Sequence, residues 1–421
     1  MFEYGLLDRI KEEKFSNDLV LINITDFRQC DHAIRKSDLV ISMVPDVMLL
    51  QVVDSCILHR KSLITPSRMN RQMLQRKNQA EENDILLLLE CGFSPGLDHI
   101  TAKKVIDNIY MKKGEIFSFK TYSGSLISEE HSTNNWQFKL TEPARDLISL
   151  GKHSNRHLIE NEVQHVPYQS LFQRAEAISI RGQKDMIAIP EGDALYYRKI
   201  YQLNDAHTVV KGKLLRKGFD TIWDLIIRLG LTDTTSRIDL FDEKSFYYFL
   251  SSLLPHAPHE TLEGRLKKFA GASREDVEKL KELGLFDSDW LAGYKEITPA
   301  VVLQHLLEKK FSLHEADKDC IMMQHQLEYQ YKTEYLKFTA TLVAQGETFQ
   351  DSATAKAIGL TAGAAAKAFL LGNIKIRGLH IPSKKDIYDP ILNELDDVGV
   401  AFHVEEVKVR DVEVRELDYQ G

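Results

Sequence analysis

Short apolar runs alternate with helical spacings over the first quarter of the chain. The runs are Leu19-Val20-Leu21-Ile22, Leu39 to Val44 ending at Pro45, Ser62 to Thr65, and Ile85 to Leu89. Between them, Val47 to His59 spaces its apolar residues helically and Met69 to Glu82 reads as a polar helix. Continuous apolar strands between helices predict a parallel sheet covered on both faces, with strand ends along one rim. The pattern changes near Gly114. Phe117 to Tyr122 alternates and predicts a half-buried strand, as do Ala177 to Arg181, Met186 to Ile189 and Thr208 to Leu214. These imply an antiparallel sheet and a second domain. A helix-rich stretch follows from Asp220 to about Gln326, with a cap and acidic N3 residue at Ser273 and Asp276 and a proline start at Thr298-Pro299. Tyr335 to Val343 alternates again, Ala353 to Leu371 and Leu392 to Val398 are helical, and Ala401 to Val409 is a last strand. The antiparallel domain is therefore expected to be interrupted by the helical stretch.

The composition narrows the class of protein. The chain has 421 residues, 43% hydrophobic and 28% charged, with a net charge of −8. That suits a soluble globular protein of two or three domains. No basic stripe is present, so nucleic acid is not an expected partner. Cys30, Cys56, Cys91 and Cys320 form no C-x-x-C pair and read as free thiols in a reducing compartment. Met1 to Phe15 has no apolar signal core, and no apolar run is long enough to span a membrane. A cytoplasmic protein is expected, with no membrane partner. No metal-spaced cluster of His, Cys and carboxylates occurs, and no P-loop or Gly-x-Ser-x-Gly.

The stretch Glu90-Cys91-Gly92-Phe93-Ser94-Pro95-Gly96-Leu97-Asp98-His99 is the foremost chemical candidate. It ends a buried strand in a glycine turn and opens a helix, which is where open α/β sheets bind ligands. Asp98 reads either as a cap of that helix or as a ligand contact. Ser42-Met43-Val44-Pro45 ends another strand, either as a helix-entry turn or as a ligand rim. Lys139 and Arg145 read as solvated cations or as carboxylate binders. His99 and His325 are isolated and read as structural histidines.

The Glu90 to His99 stretch resembles the E-x-G-L-D-P-G-I-D-H stretch of the saccharopine dehydrogenase family, glutamate-forming type. Tyr122-Ser123-Gly124-Ser125-Leu126 resembles its Tyr-Cys/Thr-Gly-Gly-Leu. Asn134 to Arg145 resembles Asn-Pro-Trp-x-Tyr-Lys-Phe-Thr-Trp-x-Pro-Arg, and Gly378 to Leu392 resembles Gly-Val-x-Ile-Pro…Tyr-x-Pro-Val-Leu. The resemblance implies an α/β fold with an incomplete Rossmann-type parallel sheet over residues 1–114, completed by part of 352–400. It further implies a discontinuous α/β substrate and dimerisation domain with an antiparallel sheet, from 115–212, 322–350 and C-terminal segments, and a helical insertion over 213–321. The implied chemistry is hydride exchange between NADP or NAD and an amino-acid substrate, saccharopine or a related compound, in a homodimer. By resemblance Asp98 and Ser123 are catalytic. Ser67, Tyr122, Gly124, Lys139 and Arg145 bind substrate, and Ser42, Val44, Pro45, Glu90 and Gly92 line the cofactor.

Four departures accompany the match. Leu19 to Asp26 aligns with the family's third strand, and Met1 to Phe15 with the helix before it. The family's glycine-rich dinucleotide loop has no counterpart in these 421 residues, so weak cofactor binding is expected. Gly192 stands where the family has a substrate-binding arginine. Arg68 and Glu142 replace a tyrosine and a tryptophan. Two functions therefore remain: an impaired oxidoreductase, or a non-catalytic remnant acting as a binding or dimerisation protein.

Overall fold

The computed structural model describes residues 26–150, 155–239, 245–289, 296–397 and 400–409. The elements expected at Met1 to Phe15 and Leu19 to Ile22 lie outside them. After α1 (Phe27–Lys36), strand β1 (Leu39–Ile41) leads to α2 (Asp46–Leu58) and β2 (Ser62–Ile64). Two short helices, α3 (Arg71–Leu74) and α4 (Lys77–Glu82), stand where one was expected, and precede β3 (Leu86–Leu88). Helix α5 (Leu97–Met111) closes this part. The strands are wholly parallel, β1 to β2 and β2 to β3. Every residue of β2 and β3 is buried, which explains their unbroken apolar runs.

The second part begins with β4 (Glu115–Ile127), then α6 (Ala144–Ile148), β5 (Arg156–Ile159), β6 (Glu162–His165), β7 (Glu176–Ala177), β8 (Met186–Pro190), α7 (Ala194–Tyr201) and β9 (Thr208–Arg216). The intervening helical stretch holds α8 (Phe219–Arg228), β10 (Ile238–Asp239), α9 (Phe246–Ser252), α10 (Leu262–Ala270), α11 (Arg274–Leu283), β11 (Glu296–Ile297) and α12 (Pro299–Phe311). Ser273 and Asp276 form the reciprocal cap of α11. The chain returns through β12 (Asp319–Tyr331) and β13 (Glu334–Gln345), then α13 (Ala353–Leu370), β14 (Gly378–His380), α14 (Lys385–Asp396) and β15 (His403–Lys408).

β14 adds to the first sheet beside β3, so its order is β1-β2-β3-β14. The second sheet runs β15-β13-β12-β4-β9-β5-β6, with β8 also on β9 and β7 on β8. It is mixed, because β4 and β9 are parallel. The helix-rich stretch stops at Phe311, short of Gln326, and residues 319–331 form a central strand instead. Their first seven residues are all buried, so the expected alternation is missing. Cys30, Cys56, Cys91 and Cys320 are buried free thiols. Among the described residues no helix is long and apolar enough to cross a membrane.

Helix α5 lies between the two sheets and ties them together. Thr101 on α5 and Thr121 on β4 hold the fully buried His325 of β12, at 2.8 Å from Nε2 and 2.9 Å from Nδ1. Burial pushes the His325 pKa from 6.5 down to about 4, against the pull of Asp98 and with the help of His99. Above pH 6.5 neither folded nor unfolded chain holds this proton. Between 6.5 and about 4 only the unfolded chain takes it up, so stability is lost as pH falls through that window and levels off below it. We expect the loss from His325 to be roughly 3 kcal/mol. Urea denaturation at stepped pH checks this, and His325→Gln should flatten that part of the profile.

Candidate active site

The glycine turn after β3 is fixed by backbone crowding. Gly96 has φ +143°, and a Cβ there would lie 2.2 Å from the Gly92 carbonyl oxygen. Only glycine fits. The turn delivers Asp98 into the first turn of α5, 1% exposed. Its Oδ1 accepts the Gly96 N–H at 2.7 Å and the His99 N–H at 2.8 Å. Its Oδ2 accepts the Ser94 hydroxyl at 2.9 Å, and Ser94 accepts the Ser123 hydroxyl at 2.9 Å. Asp98 therefore caps the turn and also ends a hydrogen-bonded chain from Ser123. Burial pushes its pKa up, but His99, Lys211 and the donors Gly96 and Ser94 outweigh it and hold the carboxyl below its usual range.

Behind Asp98, Glu90 adopts a left-handed φ of 60°. Its Oε1 accepts the Met69 N–H at 2.8 Å, and its Oε2 pairs with His99 Nε2 at 2.7 Å. His99 Nδ1 meets the Tyr201 hydroxyl at 2.8 Å, and its ring stacks on Tyr197. Burial lowers the His99 pKa, but Asp98 and Glu90 more than reverse this. Glu90 thus spends both oxygens on the protein, fastening the loop after β2 to α5.

The opposite wall comes from β9. Its register pairs Thr121 with Lys211 and Ser123 with Lys213, so all four side chains share one face of the sheet. Lys211 donates to Glu191 at 2.9 Å, and Lys213 pairs with Glu142. Burial would raise the Glu191 pKa, but Lys211, Lys213 and Arg68 pull it down to about 2. Arg68 enters from the loop after β2. Burial opposes its charge, and the fields of Glu191, Tyr197, Asp98 and Glu90 outweigh that and keep it protonated. Its surface reaches solvent although these groups ring it. Among the described residues, no carboxylate is within ion-pair distance of Arg68, and no acceptor is hydrogen-bonded to it.

The rim of the cleft is the carboxyl end of β1 to β3. Ser42 is 4% exposed and its hydroxyl has no partner among the described residues. Met43, Pro45 and Val47 are exposed beside it, while Val44 packs inward. Gly92 lies under Pro66, where a Cβ would come within 2.9 Å of the proline Cβ. Ser67 is half-buried and its carbonyl accepts the Glu90 N–H at 3.0 Å.

Of the residues named from the resemblance, Asp98, Ser123, Ser67, Ser42, Pro45, Glu90 and Gly92 thus line or support one cleft. Tyr122 and Gly124 alternate with Ser123 and face the other side of the sheet. Lys139 is engaged elsewhere, bound by both oxygens of Asp317 at 2.7 and 2.6 Å. Arg145 is exposed on α6 with Asp146 at 3.6 Å. Asp146 feels Asp46 of α2, which puts α6 at the cleft mouth. Ser94, Arg68, Glu191, Lys211 and Lys213 belong to the cleft, although the resemblance gives them no role there.

A family model described as the saccharopine dehydrogenase C-terminal domain matches residues 92–400. Saccharopine dehydrogenase [NADP(+), L-glutamate-forming] of Pyricularia oryzae is 26% identical over 401 residues, covering 90% of this chain and 86% of that protein. The mitochondrial alpha-aminoadipic semialdehyde synthase of Mus musculus is 28% identical over 381 residues, covering 88% of this chain and 41% of that protein. The fold is that of the apo saccharopine dehydrogenase (L-Glu forming) from Saccharomyces cerevisiae, with a TM-score of 0.84 over 96% of this chain and 91% of that one, at 24% identity. With the family model matched over most of its length, the chain belongs to the saccharopine dehydrogenase family.

Proposed function

We propose that the chain is an oxidoreductase of lysine metabolism that exchanges hydride between a nicotinamide dinucleotide and saccharopine, or a close amino-acid relative. The observation that carries this reading is the hydrogen-bonded chain Ser123–Ser94–Asp98, which opens on a cleft holding the unpaired Arg68.

The rim suits one end of the dinucleotide. The Ser42 hydroxyl, unpartnered among the described residues, would hold the nicotinamide end with Pro45 and Gly92, and Val44 would anchor that rim from within. Glu90 would brace that end from behind. The pyrophosphate finds less support among the described residues. The first N–H groups of α5 are taken by the Gly92 and Phe93 carbonyls and the Asp98 carboxylate, and α2 begins with Asp46. When bound, the dinucleotide supplies or accepts the hydride.

The chain's own groups handle the proton and the charges. In the direction that oxidises an amine, ionised Asp98 receives a proton through Ser94 and Ser123. In the other direction the same path returns it. Arg68 and the paired Lys213 offer cations to substrate carboxylates, with Arg145 at the mouth. Thr121 and His325 support the strand behind this wall.

The test is saccharopine-dependent reduction of NADP or NAD, followed by absorbance. Slow but saturable turnover is expected. A second reading, a non-catalytic binding protein, is favoured by the occupied N-terminus of α5. Titrating NADPH while following nicotinamide fluorescence separates the two. A micromolar dissociation constant, roughly −8 kcal/mol, supports the enzyme. No turnover together with no dinucleotide binding abandons it.

A further inference from the structure

The reverse face of the second sheet carries its own cavity, of about 360 Å³. That is the size of small-ligand pockets. Strand alternation separates it from the cleft. Tyr122 pairs with Gly212 and points away from Thr121, Ser123, Lys211 and Lys213. Gly212 makes the room, since a Cβ there would come 2.9 Å from the Tyr122 ring. His157 of β5 also lines the cavity, beside Gln164, Arg174 and Glu176.

His157 is the informative residue. It is 3% exposed, and among the described residues neither ring nitrogen has a hydrogen-bond partner. Buried polar atoms in folded proteins nearly always have partners. Burial, with the charge of Lys211, lowers its pKa to about 4, so it stays neutral at pH 7. Lys211 and Arg174 push positive potential onto His157, and Asp193 opposes them in part. The Tyr122 hydroxyl is protonated, because burial and Glu176 raise its pKa. Among the described residues it has no hydrogen-bond partner. At the rim, Arg174 and Glu176 stand either side of the extended Ala175, and both line the cavity. Among the described residues neither is in an ion pair, and Arg174 is exposed.

We propose that this cavity binds a short amino-dicarboxylate. His157, Tyr122 and Gln164 take one carboxylate, Arg174 takes the other, and Glu176 takes the ammonium group. The apolar walls, Ile159, Val166 and Val210 among them, cover the aliphatic stem. The site is separate from the cleft and does not rest on the activity proposed for it.

The probe is L-glutamate, titrated into the full chain without dinucleotide, by calorimetry and by the NMR signals of the His157 ring. Saturable binding is expected, with a shift of those ring signals. Arg174→Glu changes an exposed side chain and should weaken binding at least tenfold. Tyr122→Phe should weaken it several-fold, and Arg68→Ala, in the cleft, should leave it unchanged. L-lysine, with its cationic end, should bind at least tenfold more weakly than glutamate. Absence of saturable binding at millimolar glutamate overturns the proposal. So does equal affinity for lysine. Loss of binding in Arg68→Ala with none in Arg174→Glu would place glutamate in the cleft and also overturn it.

Discussion

Asp98→Asn should lower kcat for saccharopine oxidation about a hundredfold or more while the chain stays folded. Asparagine keeps an oxygen for the Gly96 and His99 N–H groups, so the start of α5 survives. What it loses is the ability to take a proton from Ser94. Ser123→Ala tests the same path from its other end and leaves Asp98 untouched. It should cost about tenfold in kcat, with little change in KM. If the three groups act as one path, the double variant will be no slower than Asp98→Asn alone, because one broken link already stops it. The depressed Asp98 pKa also sets a pH signature. The carboxylate stays ionised below the usual carboxylate range, so its own titration will not limit the parent rate until strongly acid pH. Steady-state kinetics across pH and a melting curve for each variant are the measurements. A variant that melts like the parent and keeps kcat within about threefold would reduce Asp98 to a helix cap.

The Glu90 to His99 turn was legible because its residues report local needs. Two glycines, a proline and an acid at a helix start mean one thing whatever surrounds them. The parallel strands were legible because burial on both faces leaves unbroken apolar runs. The same burial concealed β12, whose Cys320 to His325 run carries no alternation and follows directly on helices. The cleft itself was less legible, because it is built across the chain. Tyr122, Ser123 and Gly124 were named together, although period-two geometry lets only Ser123 or its neighbours face the cleft. Lys211 and Lys213 were passed over, yet two lysines two apart in an otherwise apolar strand already mark one charged face. Lys139 looked free, and nothing local signals that Asp317, far along the chain, takes both its contacts. Ser94 was read only as one residue of the glycine turn, while its hydroxyl joins Ser123 to Asp98.

Arg68→Ala should reduce kcat/KM for saccharopine roughly thirtyfold, mostly through KM, which corresponds to about 2 kcal/mol for one charge-assisted contact. The guanidinium is held charged in the cleft by Glu191, Asp98 and Glu90, yet pairs with none of them. A substrate with several carboxylates offers the partner that the fold withholds. Arg68→Lys should recover part of the loss, since lysine keeps the charge but not the two-pronged geometry. Gly192 adjoins Glu191, the group whose field dominates at Arg68, so an arginine at 192 would reach the same charges from the opposite wall. Space permits it, because a Cβ at Gly192 meets nothing within 4 Å. The backbone resists it, because φ there is +72°, a conformation costing about 1 kcal/mol for a residue with a side chain. Gly192→Arg in the parent should therefore raise kcat/KM about tenfold, about 1.4 kcal/mol. In the Arg68→Ala background it should restore a larger share, because it then supplies the sole unpaired guanidinium of that wall. If Gly192→Arg rescues nothing in Arg68→Ala, the two positions do not serve the same carboxylate. If Arg68→Ala leaves KM unchanged, Arg68 is a cation balancing its carboxylate neighbours and the substrate is held by other groups.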